Sequence, residues 1–301
     1  MSKRVLITGS EGFTGRYVCE EFHRAGWDVW GAGLQAKPDD PQYIQIDLLR
    51  PETLKPITAV IKPDVVIHLA AMAFVHENNP AMYYQVNLIG TRHLLETLCD
   101  TDSPPDCTIL ASSANVYGNS DLEVLSEDDP VNPANDYAVS KLAMEYLART
   151  FMHRLKITIT RPFNYTGVGQ SEKFVLPKIV SHFLAREPMI ELGNIDVARD
   201  FSDVRDIARH YFLLASHGHK VNLINFCSGS SVSLKECLRI CSSITGNEMS
   251  VKINPKFIRT DDVKKLRGSR ERLESILPGT SPRPLSETLY WMLSGDWKAA
   301  V

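Results

Sequence analysis

The residues with the clearest chemical potential are a tyrosine and a lysine placed four apart, Tyr137 and Lys141. Residues at i and i+4 of a helix lie on one face, so the lysine ammonium can approach the phenol. A nearby cation favours the phenolate and lowers the pKa of tyrosine, which makes Tyr137 a candidate proton donor near neutral pH. Taken alone, this spacing more often marks an amphipathic surface pair, so other parts of the chain must support the chemical interpretation.

A predicted buried strand at 108–113 ends in two hydroxyl residues, Ser112 and Ser113. Ligands of open α/β sheets bind beyond the carboxyl ends of the strands. Ser113 is the candidate to hydrogen-bond a substrate oxygen and to polarise it together with Tyr137. Ser112 is the competing candidate.

The element that must position a ligand for these residues is a glycine-rich turn near the start of the sequence. An apolar run at 5–7 leads into Gly9, Gly12 and Gly15, and the next ten residues can form a helix. In the first turn of a βαβ unit, such glycines permit a tight bend, a close approach to a pyrophosphate and close helix packing. The helix N-terminus adds N–H donors for the anion. We therefore expect nucleotide binding here, with a merely structural turn as the alternative.

The next two strands bear on which nucleotide binds. The end of the predicted second strand, 27–33, offers no acid to the ribose hydroxyls, and Lys37 is the only nearby cation. Nothing at this point would then repel a 2′-phosphate, so we expect NADP or NAD, with a slight preference for NADP. A third strand at 43–47 brings Asp47 and Leu48 to where they could reach the adenine. The alternative for Asp47 is the N-cap of a helix predicted at 51–61.

The apolar run 63–71 is typical of a strand that is buried on both faces of a parallel sheet. Ala70 and Ala71 at its exit leave room for a cofactor. His68 lies inside the run, where we expect a hydrogen-bonded core histidine and not a catalytic one.

Composition excludes several classes of function. The 301 residues are 44% hydrophobic and 23% charged, enough for one large α/β domain or a domain with a smaller lobe. The net charge is −3, whereas nucleic-acid binders usually carry a surplus of basic residues. No apolar run approaches a membrane span and no signal segment precedes the first strand, so we expect a cytoplasmic protein without a membrane partner. The six cysteines lack metal-ligand spacing, so we expect free thiols and no metal site.

Several motifs together resemble one known family. Over nearly its whole length the chain is similar to the extended short-chain dehydrogenases/reductases that act on nucleotide sugars. The motifs are the glycine-rich turn 8–15, His-Leu-Ala-Ala at 68–71, Asn87 in Val-Asn-Leu-Ile-Gly-Thr, Ser-Ser-Ala-Asn-Val-Tyr-Gly at 112–118, Tyr137 with Lys141, and Arg-Pro-Phe-Asn at 161–164. The resemblance implies an α/β fold, with a Rossmann-type doubly wound parallel sheet and a smaller C-terminal α/β substrate lobe.

The resemblance also implies roles for single residues. Ser113, Tyr137 and Lys141 would form the catalytic triad. The residues expected to contact NADP or NAD are Gly9, Gly12, Phe13, Gly15, Asp47, Leu48, Leu69, Ala70, Ala71, Asn87, Tyr137 and Lys141.

The same resemblance implies a domain division and an assembly. The dinucleotide-binding domain is expected at 1–165, with a strand near 222–227 returning to its sheet, and the substrate lobe at 166–301. Helices predicted at 81–99 and 138–153 would pair across a homodimer. An intramolecular bundle is the alternative for these helices.

Within the lobe the resemblance narrows to the GDP-sugar dehydratases and reductases of the family. The segments 193–206 and 259–263 carry it, although the family pattern usually has Pro after Arg259 and Glu in place of Asp262. Arg199 and Arg259 are cations that could clamp a diphosphate, and surface ion pairing is the alternative. The resemblance implies a GDP-linked nucleotide-diphosphate sugar as the substrate. Its expected contacts are Asn115, Asn164, Lys178, Arg199, Arg259 and Asp262.

One position separates the reactions of the family. Its dehydratases place an acid two residues before the Tyr of the Val-Tyr-Gly motif, and this chain has Asn115 there. An amide has no proton to exchange at neutral pH. We therefore expect NAD(P)H-dependent reduction of a nucleotide-linked 4-keto-6-deoxy sugar, giving GDP-rhamnose or GDP-6-deoxy-talose from the mannose-derived ketone. The alternatives are a 4-epimerase and, outside the enzymes, a cofactor-binding regulatory protein.

Overall fold

The structure is a computed structural model that describes residues 2–73, 79–257 and 265–295. Its strands are β1 (Arg4–Thr8), β2 (Asp28–Gly33), β3 (Tyr43–Gln45), β4 (Val65–His68), β5 (Cys107–Ala111), β6 (Val124–Leu125), β7 (Ile157–Pro162), β8 (Asn164–Thr166), β9 (Met189–Leu192), β10 (Ala198–Arg199), β11 (Phe201–Asp203), β12 (Leu223–Phe226), β13 (Val232–Ser233), β14 (Ser250–Ile253) and β15 (Lys265–Gly268). Its α-helices are α1 (Phe13–Arg24), α2 (Ala81–Tyr83), α3 (Thr91–Cys99), α4 (Asp136–Arg149), α5 (Val175–Leu184), α6 (Val204–His217), α7 (Leu234–Thr245), α8 (Glu271–Ile276) and α9 (Leu285–Ser294).

Seven of the strands form one parallel sheet, in the order β12-β7-β5-β4-β1-β2-β3. Successive residues of β1 point to opposite faces, as the strand period requires. Val5 and Ile7 pack with α1, α6 and α8 on one face, whereas Leu6 packs with α3 and α4 on the other. Helices thus cover both faces of the sheet, which confirms the predicted doubly wound α/β fold.

A second core lies among α5, α7, α9 and the short strand pair β9 and β14. Leu176, Ile179, Cys237 and Leu289 are almost completely buried there. Between the two cores, β8 pairs with β11, and β12 pairs with β7 at the edge of the large sheet. The proposed division of the chain after residue 165 stays a prediction.

Two helices predicted as continuous are interrupted. The segment 81–99 consists of α2, a π-helical stretch Tyr84–Gly90 and α3, and the segment 51–61 is a 3-10 turn followed by a π-helical turn. π-helical stretches often occur at functional sites. In the first case the stretch carries Asn87, whose side chain bonds the backbone of Met72 and the hydroxyl of Ser140. These buried polar contacts replace the regular packing that the apolar pattern predicts.

Among the helices of the described ranges, none combines the length and the apolar character needed to cross a membrane. All six cysteines are free thiols, as expected.

Candidate active site

The glycine-rich turn between β1 and α1 is shaped as a phosphate-binding turn would require. Gly9 has a φ of +69°, which favours glycine, and a Cβ there would lie 2.8 Å from the backbone N of Ala70. A Cβ on Gly15 would lie 2.1 Å from the carbonyl oxygen of Gly9. Gly12 is the N-cap of α1, and its helix start is not capped by a side chain. The first-turn N–H groups can therefore bind an anion, so these residues fit a dinucleotide pyrophosphate.

The start of α1 is held against β8 by aromatic contacts. The rings of Phe13 and Tyr165 stack with 6.1 Å between centroids and 9° between planes. The Thr14 hydroxyl lies 2.8 Å from the Tyr165 hydroxyl, and the Tyr17 hydroxyl donates to the carbonyl oxygen of Val168 at 2.7 Å. The turn and the chain that follows β7 therefore form one continuous wall of the site.

The strand exit at β4 lies directly beside this turn. Ala70 donates its backbone N–H to the hydroxyl of Thr8, and Leu69, Ala70 and Ala71 are half-buried. His68 is buried between the hydroxyls of Thr8 and Thr91, at 2.7 and 3.0 Å. Burial lowers the pKa of His68 to about 3. It is a neutral, hydrogen-bonded core histidine, as predicted.

Asp47 does not cap the following helical turns. The N-cap of the 3-10 turn Pro51–Leu54 is Arg50, and the Asp47 carboxylate instead accepts a hydrogen bond from the backbone N–H of Leu49 at 2.9 Å. The N-cap interpretation of Asp47 is therefore wrong, because the chain makes an Asx turn before the helical turn begins. Leu48 is buried, and its carbonyl oxygen lies 2.7 Å from a ring nitrogen of His93.

An acid lies at the end of β2, but it comes from another part of the chain. The carboxylate of Glu11, from the glycine-rich turn, accepts a hydrogen bond from the Tyr43 hydroxyl at 2.9 Å and lies 3.2 Å from the Lys37 ammonium. A Cβ placed on Gly33 would be 3.2 Å from the same carboxylate. This corrects the expectation that nothing here would repel a 2′-phosphate. The sequence reasoning missed Glu11 because it searched only the end of β2.

Tyr137 and Lys141 lie in the first two turns of α4. The Asn135 side chain caps this helix by accepting the backbone N–H of Ala138 at 2.9 Å. Tyr137 is half-buried, and burial raises its pKa to about 12, an effect opposed by its interaction with the Ser113 side chain. The Ser113 hydroxyl and the Tyr137 phenol therefore interact in this structure.

Lys141 differs from its expected electrostatic role. Its side chain is 4% exposed, and its ammonium donates to the carbonyl oxygen of Ala111 at 2.7 Å, at the end of β5. Burial lowers the pKa of Lys141 to about 8, although the nearby Glu145 carboxylate opposes the change. In this structure burial dominates at Tyr137 and raises the phenol pKa, so the expected lowering by Lys141 is absent.

The two adjacent serines have different partners. The Ser112 hydroxyl is buried and donates to the Glu145 carboxylate at 2.5 Å. The Ser113 oxygen accepts the backbone N–H of Asn115 at 3.1 Å, which leaves the Ser113 proton available to donate. This arrangement favours Ser113 over Ser112 as the hydroxyl that polarises a substrate oxygen.

A buried ion pair behind Ser112 was missed in the sequence. Arg161 donates two hydrogen bonds to Glu145 at 2.9 and 2.7 Å, and their side chains are 3% and 0% exposed. Glu145 follows Lys141 by four residues, as Lys141 follows Tyr137. The i,i+4 spacing that identifies Tyr137 and Lys141 could therefore also have identified Glu145 on the same helix face.

Asn115 is exposed on the 3-10 turn Ala114–Tyr117. Two acids of the loop that follows it, Glu123 and Glu127, are bonded to other residues. Glu123 forms a surface ion pair with Lys265 at 2.5 Å, and Glu127 accepts the backbone N–H of Asn225 at 2.7 Å.

The expected substrate residues lie on several elements. Asn164 opens β8 and pairs in register with Phe201, two residues beyond Arg199. Arg199 is half-buried, and its guanidinium donates to the carbonyl oxygen of Ala198 at 2.9 Å. Lys178 on α5 donates to the carbonyl oxygen of Glu191 at 2.8 Å. The two remaining candidates, Arg259 and Asp262, lie outside the described residues.

Comparison with known proteins identifies the family to which the chain belongs. The model of the NAD-dependent epimerase/dehydratase family matches residues 5–226. The GDP-6-deoxy-D-talose 4-dehydrogenase of Aggregatibacter actinomycetemcomitans is 33% identical, over 95% of this chain and 97% of that protein. The GDP-6-deoxy-D-mannose reductase of Pseudomonas aeruginosa is 32% identical, over 100% of this chain and 99% of that protein.

A solved structure agrees with the fold. RMD from Pseudomonas aeruginosa, in complex with NADPH, superposes with a TM-score of 0.85 at 31% identity. The match covers 100% of this chain and 99% of the other.

Proposed function

Because the chain belongs to the NAD-dependent epimerase/dehydratase family, we propose that it reduces the 4-keto group of a GDP-linked 4-keto-6-deoxyhexose with NADH or NADPH. The observation that carries this proposal is the pair of hydroxyls, Ser113 and Tyr137, brought together beyond the end of β5 beside buried Lys141. The two GDP-6-deoxysugar oxidoreductases that match the full chain support the substrate class.

The cofactor would be held by the glycine-rich turn, the exit of β4 and the start of α4. When bound, the reduced nicotinamide supplies the hydride that the sugar C4 requires. The turn residues Gly9, Gly12 and Gly15 would hold its pyrophosphate, since a Cβ on Gly9 or Gly15 would overlap neighbouring backbone atoms and no side chain caps the helix start at Gly12. Ala70 lies at the adjoining exit of β4, and buried Asn87 fixes the backbone of Met72 beyond it.

Tyr137 would donate the proton to the sugar O4 as the carbonyl is reduced. A phenol with a pKa of about 12 is almost entirely protonated at neutral pH, which is the state that a proton donor needs. Ser113 would donate a hydrogen bond to the same oxygen, since its own oxygen already accepts the backbone N–H of Asn115. Lys141 would contact the cofactor, as the family resemblance implies, with its ammonium fixed by the carbonyl oxygen of Ala111.

The missing acid at Asn115 separates reduction from dehydration. Removal of the C6 hydroxyl needs a group that protonates it as it leaves, and an amide cannot do so. Glu123 and Glu127, two acids of the loop that follows Asn115, are already paired with Lys265 and with the backbone N–H of Asn225. Arg199, Asn164 and Lys178 would contact the nucleotide and its diphosphate, together with Arg259 and Asp262.

The test is a turnover assay with GDP-, UDP- and dTDP-linked 4-keto-6-deoxy sugars, which follows NADH and NADPH oxidation in parallel. We expect one reduced cofactor to be consumed per GDP-linked sugar, and no 4-keto product from GDP-mannose with oxidised cofactor. Product analysis then distinguishes a rhamnose from a talose configuration at C4. An epimerase would return its hydride and consume no cofactor, a dehydratase would accumulate the 4-keto sugar, and a regulatory protein would bind without turnover.

We also propose a homodimer built on the predicted helix pair. The π-helical stretch Tyr84–Gly90 packs beside α4, and Ile89, Val139 and Tyr146 leave apolar surface exposed on these elements. Burial of such a surface by a second copy would stabilise the assembly. Light scattering after gel filtration should give twice the chain mass of 33.7 kDa, and Tyr146→Asp should shift the mass to that of a monomer.

A further inference from the structure

The carboxylate of Glu11 occupies the place where a Rossmann fold meets the adenosine ribose. In such folds the ribose hydroxyls approach the carboxyl end of β2, where an acid of that strand usually accepts them. Here β2 ends in Gly33, which has no side chain, and a Cβ on Gly33 would lie 3.2 Å from the Glu11 carboxylate. The glycine-rich turn, and not β2, supplies the acid.

This carboxylate is held in place by two donors. The hydroxyl of buried Tyr43 donates to one oxygen at 2.9 Å, and the ammonium of Lys37 lies 3.2 Å from the other. The ammonium also lies 4.9 Å from the centre of the Tyr43 ring, which favours its position over the ring face. Glu11 retains further acceptor capacity, because an ionised carboxylate offers about four lone-pair sites.

A ribose with two free hydroxyls and a ribose with a 2′-phosphate would meet this cluster differently. The hydroxyls can donate to Glu11 while its contacts to Tyr43 and Lys37 stay intact. A 2′-phosphate adds about two negative charges next to the carboxylate. The phosphate could form an ion pair with Lys37 only if Lys37 left Glu11. The Glu11 carboxylate would then lie beside the phosphate without its ammonium partner.

We propose that Glu11 is the residue that selects the cofactor, that it accepts the adenosine ribose hydroxyls, and that the protein therefore binds NADH in preference to NADPH. This inference rests on the cofactor site of the proposed function and is independent of the sugar substrate. Lys37 holds the Glu11 carboxylate in position and does not bind a 2′-phosphate.

Direct binding in the absence of any sugar tests the assignment. We would measure dissociation constants for NADH and NADPH by titration calorimetry, with the wild-type protein and with Glu11→Gln, Lys37→Ala and the nearby exposed control Asp39→Asn. We expect wild type to bind NADH at least tenfold more tightly than NADPH. Glu11→Gln should reduce that ratio at least tenfold, Lys37→Ala should keep or increase it, and Asp39→Asn should leave it unchanged.

Three results would overturn the proposal. The first is tighter binding of NADPH than of NADH by wild type, and the second is an unchanged ratio in Glu11→Gln. The third is a selective loss of NADPH binding in Lys37→Ala, which would assign the phosphate to the lysine. If Glu11→Gln does not fold, competition of 5′-ADP and 2′,5′-ADP against NADH in wild type and Lys37→Ala decides the same question. Failure of sugar turnover would leave all of these measurements interpretable.

Discussion

Lys141 should destabilise the folded protein whenever its ammonium is charged, and Lys141→Met should reveal this. The side chain is 4% exposed, and burial lowers its pKa from 10.5 to about 8. One pKa unit corresponds to about 1.4 kcal/mol, so the lowering corresponds to about 3 kcal/mol at pH values below 8.

The sign of the pH dependence follows from the two pKa values. As the pH rises above about 8, Lys141 loses its proton in the folded state, while in the unfolded state it keeps the proton up to about 10.5. The unfolded state then binds more protons, so the free energy of unfolding rises by about 1.4 kcal/mol per pH unit. Between pH 8 and about 9.5 this adds about 2 kcal/mol to wild type and nothing to Lys141→Met.

Urea denaturation of the cofactor-free protein at several pH values between about 7 and 9.5 would measure this difference. Loss of the hydrogen bond from Lys141 to Ala111 changes the free energy of unfolding of the variant by an amount that does not depend on pH. The comparison that decides is therefore the slope of the free energy of unfolding against pH. Lys156→Met is the control. The Lys156 side chain is 63% exposed, and its ammonium lies 3.7 Å from the Asp106 carboxylate. Parallel curves for wild type and Lys141→Met would refute the reasoning.

Two further substitutions test the proposed chemistry and its support. Tyr137→Phe should lower turnover at least about 10²-fold with unchanged cofactor affinity, as expected when a general acid is lost; normal turnover would remove Tyr137 from the mechanism. Glu145→Gln should lower the free energy of unfolding by about 3–5 kcal/mol, because it leaves the Arg161 guanidinium buried without its carboxylate. Replacing both by apolar residues in Glu145→Leu/Arg161→Met should recover most of that loss in urea denaturation, and a single-variant loss below about 1 kcal/mol would contradict the account.

The sequence allowed prediction of those parts of the fold that depend on local pattern. Apolar strands such as β1 and β4, and the glycine-rich turn after β1, are specified by residues next to each other in the chain, and all occur as predicted. Tyr137 and Lys141 also share a helix face, since their relation depends only on the helical period. The resemblance to a known family then supplied the doubly wound arrangement.

The features that were not predicted depend on contacts between distant residues. Glu11 reaches the end of β2 only because the turn after β1 points it there, and its partner Tyr43 comes from β3. The π-helical stretch around Asn87 depends on its bonds to Met72 and Ser140, which an apolar pattern does not encode. The pKa of Tyr137 depends on how deeply the phenol is buried, which the spacing to Lys141 cannot give.

The position of β12 limits how this protein could be redesigned. This strand completes the large sheet by pairing with β7, yet it lies after α5 and α6 in the chain. A fragment that stops before α5 would lack the strand and would expose the β7 edge, which invites aggregation. A chimera with new sugar selectivity should therefore keep β7 and β12 together, and it should exchange α5 along with α7 and α9, because these three helices share one core.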